Sequence, residues 1–405
     1  MSRPNQFLSP EGDLEDYFVD EYWLIDQYVG DQLWTWGLNT LGAPLGINNS
    51  TSRSTPVTTF AGGTNWKQVS SGRDHNTAIK TDGTLWTWGT GTIGQLGNAT
   101  FTTVSTPVTT FAGGNNWKQV SGGGSHTAAI KTDGTLWIWG SAGFGKLGHG
   151  FTVGNRSTPI TTFAGGTNWK QVSAGDLHTS AIKTDGTLWI WGYVVNGALG
   201  NAVVTLTTGN RSTPITTFAG GNNWKQVSVG GNFTAAIKTD GTLWIWGRGD
   251  DGKLGNGAVT GNISTPVTTF AGGTNWKQVS CGNAHAAAIK TDGTLWVWGT
   301  GSRGALGINT TIPNVSMSTP VTTFAGGTNW KQVHCSLDTT AAIKTDGTLW
   351  TWGYNSGGKL GTNDVTVRST PVTTFAGGTN WKQVVSGDFH TAAVQAGINA
   401  EYPLS

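Results

Sequence analysis

One five-residue string, Leu-Trp-x-Trp-Gly, occurs seven times and constrains the fold more than any other feature of the chain. Its first tryptophans follow one another at intervals of 51 to 55 residues, at Trp34, Trp86, Trp137, Trp189, Trp244, Trp296 and Trp350. A second string, Asn-Trp-Lys-Gln-Val, also occurs seven times, at Trp66, Trp117, Trp169, Trp224, Trp276, Trp330 and Trp381. A fixed period of this length predicts structural repeats that bury their apolar faces against their neighbours.

Each repeat predicts four short β-strands. In the second repeat, a strand starts at Trp66, and the runs 75–80 and 85–88 flank a Thr-Asp-Gly-Thr sequence. Asp-Gly between two apolar runs is a strong hairpin signal. The run Pro56 to Phe60 predicts a further strand, and its leading proline fits a strand start or an outer edge. In Leu-Trp-x-Trp, alternation makes both faces of the strand largely apolar, as a sandwiched sheet requires.

Seven such units predict an all-β fold, a seven-bladed β-propeller of four-stranded blades. The first repeat begins midway, at residue 31, and the last stops midway, before residue 397. We therefore expect strands from 381–397 and 31–60 to share one blade, which leaves no open sheet edge. The predicted organisation is an acidic, aromatic N-terminal extension over 1–30, the propeller over 31–397 and a C-terminal tail over 398–405.

The order of motifs resembles the regulator of chromosome condensation repeat. Residues 117–148 contain the whole series: Trp-x-x-Val-x-x-Gly, His-Thr-x-Ala-Ile, Asp-Gly-x-Leu-Trp-x-Trp-Gly and Gly-x-Leu-Gly. The resemblance covers about 31–397 and implies a seven-bladed propeller with a shared closing blade. Members of that family include exchange factors for a small GTPase, chromatin binders, ubiquitin-ligase modules and β-lactamase-inhibitor propellers. This chain departs from the exchange factors, because it has no wedge-sized insertion and its N-terminus is acidic.

The repeats differ from one another mainly in their loops. The differences lie before Ser-Thr-Pro, after Trp-Gly, and after the Val-Ser strand, as at Arg73-Asp74, Asp176-Leu177 and Leu337-Asp338. Such variation reflects either drift in solvent or a partner surface, since loops on rigid scaffolds commonly carry binding. The residues predicted to bind a partner there are Phe144, Val194, Val195, Val204, Leu206, Ile312, Met317 and Tyr354.

The residues that could carry chemistry point to no enzyme. Five histidines, His75, His126, His178, His285 and His390, share one repeat position, which Phe233 and Thr339 occupy in the other two repeats. Equivalent positions in different blades do not converge on a metal ion, which needs ligands at about 2 Å. We therefore predict a hydrogen bond within its own blade for each histidine, and no metal, cofactor or catalytic residue. Cys281 and Cys335 are predicted to be buried small residues.

Two series of lysines recur with the repeat. The first runs from Lys67 to Lys382 in Trp-Lys-Gln-Val, and the second runs from Lys80 to Lys344, with Gln395 in its seventh place. We predict that they keep short strands soluble and protect strand edges; attraction of an anionic partner is the alternative. Nucleic-acid binding is not expected, because the basic residues are spread evenly. Membrane insertion is not expected either, because no apolar run approaches about 18 residues, and the N-terminus lacks the layout of a signal peptide.

The first 31 residues differ in charge from the remainder. They contain eight acidic residues against Arg3 alone, whereas residues 32–405 have a net charge of +9. Acidic and aromatic residues together predict a docking segment, either on this propeller or on another chain. The residues predicted to form this anchor are Phe7, Tyr17, Phe18, Tyr22, Trp23 and Tyr28.

These observations favour a non-enzymatic structural and interaction protein. The leading hypothesis is a component of a larger assembly, such as a phage fibre, tail or capsid-decorating protein, anchored by 1–30 and displaying its variable loops. The alternatives are an exchange factor or other regulator of a small GTPase, and an enzyme-inhibitor-type binding propeller. The first hypothesis places the protein in a virion, and the others place it in the cytoplasm.

Overall fold

Seven antiparallel sheets make up the fold. The computed structural model describes residues 30–40, 42–202, 209–310 and 315–397, which form 28 strands in seven four-stranded sheets. The innermost strands of successive sheets contact one another, so the sheets stand as blades around a central channel. The prediction of an all-β, seven-bladed propeller is confirmed.

Each of the six blades that are continuous in sequence runs from its innermost strand outward. In chain order the strands are β1 (Gln32–Gly37) and β2 (Arg53–Thr58); β3 (Trp66–Ser71), β4 (His75–Lys80), β5 (Leu85–Gly89) and β6 (Val104–Thr109); β7 (Trp117–Gly122), β8 (His126–Lys131), β9 (Leu136–Gly140) and β10 (Arg156–Thr161); β11 (Trp169–Ala174), β12 (His178–Lys183), β13 (Leu188–Gly192) and β14 (Arg211–Thr216); β15 (Trp224–Val229), β16 (Phe233–Lys238), β17 (Leu243–Gly247) and β18 (Ile263–Thr268); β19 (Trp276–Cys281), β20 (His285–Lys290), β21 (Leu295–Thr300) and β22 (Ser316–Thr322); β23 (Trp330–Cys335), β24 (Thr339–Lys344), β25 (Leu349–Gly353) and β26 (Arg368–Thr373); and β27 (Trp381–Ser386) and β28 (His390–Gln395).

The closing blade joins the two ends of the chain, as the half-repeats predict. Its strand order is β2-β1-β28-β27, so two strands come from each end. Strands β1 and β28 pair without interruption, from Gln32 opposite Gln395 to Gly37 opposite His390. Because every blade then has a neighbour on both sides, the ring has no blade face left open to solvent.

Tryptophans fill the spaces between blades, but not equally. The tryptophan that begins each innermost strand and the second tryptophan of Leu-Trp-x-Trp are fully buried. Trp169 and Trp191 are one such pair. Their rings meet edge to face, with centroids 6.5 Å apart. The first tryptophan of the pair, such as Trp189, is only half-buried. Two of the three tryptophans in each repeat therefore form the core.

Replacing the two tryptophans of one strand should separate their contributions. Trp191→Ala removes a fully buried ring whose Nε1 donates to the Lys146 carbonyl at 2.8 Å, and should cost about 3–5 kcal/mol of unfolding free energy. Trp189→Ala, two residues away, is the matched control and should cost less than half as much, because part of its ring already faces water. Urea unfolding followed by circular dichroism measures both, and equal losses would contradict this assignment.

The outermost strands end earlier than the sequence predicts. The predicted run to Phe60 stops at Thr58, and Phe60 lies in the segment that leads to the next blade. The equivalent phenylalanine is exposed in all seven repeats, by 64% to 74%: Phe60, Phe111, Phe163, Phe218, Phe270, Phe324 and Phe375. The apolar character of this run therefore extends past the strand and onto the surface.

Candidate functional site

The propeller has two faces with different loops. In the second repeat, Trp66 pairs with Lys80 at one end of the sheet and Ser71 pairs with Asn76 at the other. The end at Lys80 carries the Asp-Gly hairpins, and we call it the hairpin face. The other end carries the short loops after the innermost strands and the long loops after Trp-Gly, and we call it the loop face. All three variable regions lie on the loop face, because the loop after Trp-Gly continues into the residues before Ser-Thr-Pro and its two ends pair there, as Gly89 does with Val104.

A ring of glutamines holds the innermost strands together around the channel. Gln119 Nε2 donates to the Val172 carbonyl at 3.0 Å, and the Val172 N–H donates back to Gln119 Oε1 at 3.0 Å. The same pair of bonds links every blade to the next, including Gln383 to Val69 across the closure. These side chains surround a cavity of about 280 Å³. The channel wall is thus a closed hydrogen-bonded circle of polar side chains.

The repeated histidines bind the next blade, so the prediction of a hydrogen bond within the same blade is wrong. His75 Nε2 lies 2.8 Å from Thr127 Oγ1 in the neighbouring blade. The Thr127 hydroxyl donates to the Gln95 carbonyl at 2.9 Å, so Nε2 must carry the proton and donate to Thr127. Burial lowers the pKa of His75 to about 4, which keeps the ring neutral near pH 7. Each repeated histidine therefore joins its blade to the next one.

A cluster of charges breaks the seven-fold symmetry at the loop-face mouth of the channel. Arg73 lies 3.3 Å from Asp388 in the closing blade and 3.9 Å from Asp176, two blades away in the other direction. Lys146 Nζ donates to the Asp176 carbonyl at 3.3 Å, and Lys359 Nζ donates to the Asp388 carbonyl at 2.8 Å. Burial raises the pKa of Asp388 to about 6. Burial also lowers the pKa of Lys146 and of Lys359 to about 8.

A second group on the same face centres on Tyr354. The Arg303 guanidinium lies 4.0 Å from the centre of the Tyr354 ring, and Arg303 Nη1 donates to Asp338 Oδ2 at 3.1 Å. The Ser302 hydroxyl donates to the other Asp338 oxygen at 3.2 Å. A planar cation stacked on an aromatic ring is a common element of binding surfaces.

The other predicted loop residues have different surroundings. Phe144 is 41% exposed and packs edge to face on Tyr193 at 4.9 Å. Met317 is partly buried between two blade cores, and Val195 packs partly buried beside Val194. Val194 is fully buried in the apolar cluster of its blade, so its side chain supports the loop and cannot meet a partner. Outside the described residues lie Val204, Leu206, Ile312 and all six anchor residues, Phe7, Tyr17, Phe18, Tyr22, Trp23 and Tyr28.

The second lysine series has a role that the sequence did not indicate. Lys80 Nζ lies 4.8 Å from the ring centre of Trp66 and 4.4 Å from that of Trp86. The same arrangement recurs in all six repeats that have this lysine. That these lysines also keep the strands soluble stays a prediction. Each ammonium group joins two aromatic rings by cation–π contact.

Neither a possible metal site nor a membrane-spanning helix is present among the described residues. They bring no three His, Cys, Asp or Glu side chains together into a possible metal site. Cys281 and Cys335 are free and buried, as predicted, and burial raises the pKa of both thiols, to about 12 for Cys281. No helix in the described part of the chain is long and apolar enough to cross a membrane.

Sequence reasoning found part of the loop-face cluster and missed the rest. Arg73, Asp176 and Asp338 lie in the variable regions, and Tyr354 is among the predicted residues. Asp388 and the buried lysines were missed, although a signal exists: Lys146, Lys253 and Lys359 share one repeat position that is otherwise Gln, Ala or Pro. A charge at a position where other repeats have uncharged residues is a departure that an internal comparison can detect.

Comparison with known proteins agrees with this architecture. Residues 152–399 match the RCC1-like domain, and residues 31–79 and 82–130 match the regulator of chromosome condensation (RCC1) repeat. The Ultraviolet-B receptor UVR8 of Arabidopsis thaliana is 31% identical over 339 residues, which cover 80% of this chain and 74% of the receptor. Human WBSCR16 superposes with a TM-score of 0.77 at 20% identity, covering 91% of this chain and 99% of its own. Prp20p of Saccharomyces cerevisiae superposes with a TM-score of 0.79 at 17% identity, covering 96% of both. The chain belongs to the regulator of chromosome condensation repeat family.

Proposed function

We propose that this protein is a non-enzymatic regulator that binds another protein through its loop face. The observation that carries the proposal is the asymmetry of that face. The paired glutamine bonds recur at all seven interfaces between blades, whereas Arg73, Asp176 and Asp388 form one unrepeated group at the channel mouth. A scaffold needs no such departure for its own stability, because the other blades close without it.

The loop face offers the side chains that protein interfaces favour. Arginine and tyrosine are enriched at interface centres, and Arg73 and Arg303 are about half exposed, at 49% and 50%. Both guanidinium groups are held in place by carboxylates, so they lose little conformational freedom on binding. Exposed apolar residues occur in the long loops that follow Trp-Gly on this face, including Phe101, Phe151 and Val153.

The partner class that we propose to test first is a small GTPase. Exchange factors for such a protein belong to this family, and the Prp20p structure was reported with binding properties to Gsp1p and histones. The chain lacks a wedge-sized insertion, because its repeats differ in length by only four residues. We therefore propose binding of a small GTPase and treat acceleration of nucleotide release as a separate measurement. The similarity to a plant receptor also supports a regulatory, non-catalytic role.

A panel of purified small GTPases loaded with a fluorescent GDP analogue tests the proposal. We expect at least one member to bind, and we expect Arg73→Ala with Arg303→Ala to weaken binding by roughly tenfold or more, as for interface anchors. Lys225→Ala, on the hairpin face, is the control and should leave binding unchanged. Absence of binding across the panel rules out the GTPase partner. A loss as large in the Lys225 variant shows that the loop face is not the site.

The hypothesis of a virion component remains a prediction. The relatives reported above are a plant receptor, a human protein and a yeast protein, and they support protein binding without supporting a virion assembly. The enzyme-inhibitor-type propeller stays a prediction from the family resemblance. No observation on the described residues favours it over a regulator.

A further inference from the structure

The charged residues of the propeller are sorted between its two faces. All seven arginines of the described residues lie on the loop face, together with three lysines. The other thirteen lysines of the described chain lie on the hairpin face. Among the residues that the structure describes, the acidic ones on that face are the six aspartates of the Asp-Gly turns and Asp31. The hairpin face therefore carries a clear excess of positive charge.

A β-bulge places one lysine of every blade at the channel mouth. Trp66 pairs with Lys80 and Gln68 pairs with Ile79, so Lys67 is the extra, unpaired residue between them. A bulge turns the side chain of its extra residue away from the sheet, and Lys67 is exposed. Since Gln68 lines the channel, Lys67 stands at its rim. The same bulge recurs in all seven blades and forms what we call the lysine ring: Lys67, Lys118, Lys170, Lys225, Lys277, Lys331 and Lys382.

The acidic residues nearby already have partners of their own. Asp82 Oδ1 accepts hydrogen bonds from the Thr84 N–H at 2.9 Å and from its hydroxyl at 2.7 Å, and these bonds lower the pKa of Asp82. The same pair of bonds occurs in the other five Asp-Gly turns. Lysines of the second series are held between tryptophans. The lysine ring is thus left with a single carboxylate partner among the described residues, which is Asp31 on Lys382.

That partner lies where the N-terminal chain enters the propeller. Asp31 Oδ1 lies 2.7 Å from Lys382 Nζ in the closing blade. The Asp31 carbonyl accepts the Trp66 N–H of the next blade at 3.1 Å, directly before Lys67. The chain therefore passes between two neighbouring members of the lysine ring. The ion pair that this one acidic side chain makes is the kind of contact that the other acidic side chains of the N-terminal segment could make with the lysine ring.

We propose that residues 1–29 dock on the lysine ring of their own chain. The segment carries seven acidic residues against Arg3: Glu11, Asp13, Glu15, Asp16, Asp20, Glu21 and Asp26. The random-coil end-to-end distance for a length of 29 residues is roughly 30 Å, compared with a radius of gyration of about 21 Å for a domain of this size. The segment therefore reaches across the face, and its tether holds it near the ring at a millimolar effective concentration. The half-buried tryptophans of the same face offer contacts to its aromatic residues.

This docking is independent of the proposed function, because it concerns the opposite face. It shields the larger of the two excesses of positive charge that the faces of the described propeller carry. A partner on the loop face is unaffected. The proposal also selects one of the two predictions made from the sequence, docking on this propeller and not on another chain.

Zero-length carbodiimide cross-linking of the full chain tests the contact directly. An equal mixture of unlabelled and ¹⁵N-labelled protein is treated at low ionic strength and analysed by mass spectrometry. We expect amide bonds between carboxylates of residues 11–26 and ring lysines, within single molecules of uniform label. Cross-links of mixed label would show docking on a second copy, and cross-links confined to other lysines would show a different site. Either result overturns the proposal.

Hydrogen exchange of residues 1–29 in full-length variants provides the matched comparison. Lys118→Gln, Lys170→Gln and Lys225→Gln together should speed amide exchange in the segment by roughly tenfold. The control removes three positive charges from the loop face, by Arg53→Gln, Arg156→Gln and Arg211→Gln, and should leave that exchange unchanged. About 0.5 M salt should reproduce the lysine variant, since surface charges are then strongly screened. Equal behaviour of the two variants overturns the proposal, and melting temperatures confirm that both are folded.

Discussion

Lowering the pH from 7 to 5 should destabilise this propeller by roughly 10 kcal/mol, a loss comparable with the whole net stability of many domains. The cause is a set of six neutral histidines, of which five are fully buried and the sixth, His334, is partly buried. Burial lowers the pKa of His75 and His334 to about 4, and that of His178, His285 and His390 to about 3. The pKa of His126 is also lowered well below its usual value, by burial first and then by Lys146 and two neighbouring histidines.

The sign and the pH range follow from proton binding. In the unfolded chain each histidine binds a proton near pH 6.5, whereas in the folded chain its pKa is well below that value, at about 3–4 for all of them except His126, for which the direction is the same. The contribution is therefore fully present above pH 6.5 and is lost as the pH falls below it, by about 2 kcal/mol per histidine at pH 5. Asp388, with its raised pKa, offsets about 1 kcal/mol. Nδ1 has no hydrogen-bond partner among the described residues in His75, His126, His178, His285 and His390.

The protein supplies its own control for this prediction. Phe233 occupies the histidine position of its blade, and Ala286 stands where five of the other six blades have a threonine and one has Asn76; Phe233 and Ala286 lie in one apolar cluster. His178→Phe with Thr234→Ala should reproduce that pair, stay folded, and reduce the loss between pH 7 and pH 5 by about 2 kcal/mol. Urea midpoints at both pH values measure the effect. An unchanged pH dependence in the double variant would contradict the assignment.

Removing strand β28 should abolish the folded propeller. A chain that ends at Gly387 lacks the strand that joins β1 to β27, and five of its six residues are fully buried. Its loss leaves β1 and β2 detached from β27 and opens the ring between two blades. The cost should exceed the roughly 5–15 kcal/mol that stabilises a typical domain. We expect aggregation, or no cooperative thermal transition by circular dichroism.

A shorter truncation provides the comparison. A chain that ends at Gly397 keeps β28 complete and should melt within a few degrees of the full chain. If the chain ending at Gly387 melts cooperatively at a similar temperature, the ring does not depend on the shared blade. The shared blade would then contribute little to the stability of the fold, although strands from both termini still build it.

The regularity of the chain explains why its fold could be predicted from sequence. The Asp-Gly turns locate the hairpins, the period gives the number of blades, and the half-repeats at residues 31 and 397 locate the closure. The outer strands were misjudged at Phe60 because an apolar residue after a strand resembles its continuation. Only the backbone geometry shows that the chain has already turned toward the next blade.

Partners between blades could not be predicted in the same way. The period shows that His75 and Thr127 occupy neighbouring repeats, but side-chain direction depends on the twist of both sheets. The same limit applies to Lys80, which finds two tryptophans of its own blade, and to Arg73, which spans from Asp176 to Asp388. Comparison of the repeats shows at which positions one blade has an unusual residue. The packing of the folded chain determines which residues that side chain contacts.

The glutamine ring has a consequence for how such a chain can change over generations. Each glutamine bonds to main-chain groups of the next valine, and every blade offers those same groups. A gene segment that encodes one whole unit can therefore be copied or exchanged, and the new unit finds a compatible neighbour on each side. The copied unit keeps its own loops. Variants that differ in the loop face can then arise by recombination between units, without new solutions to packing.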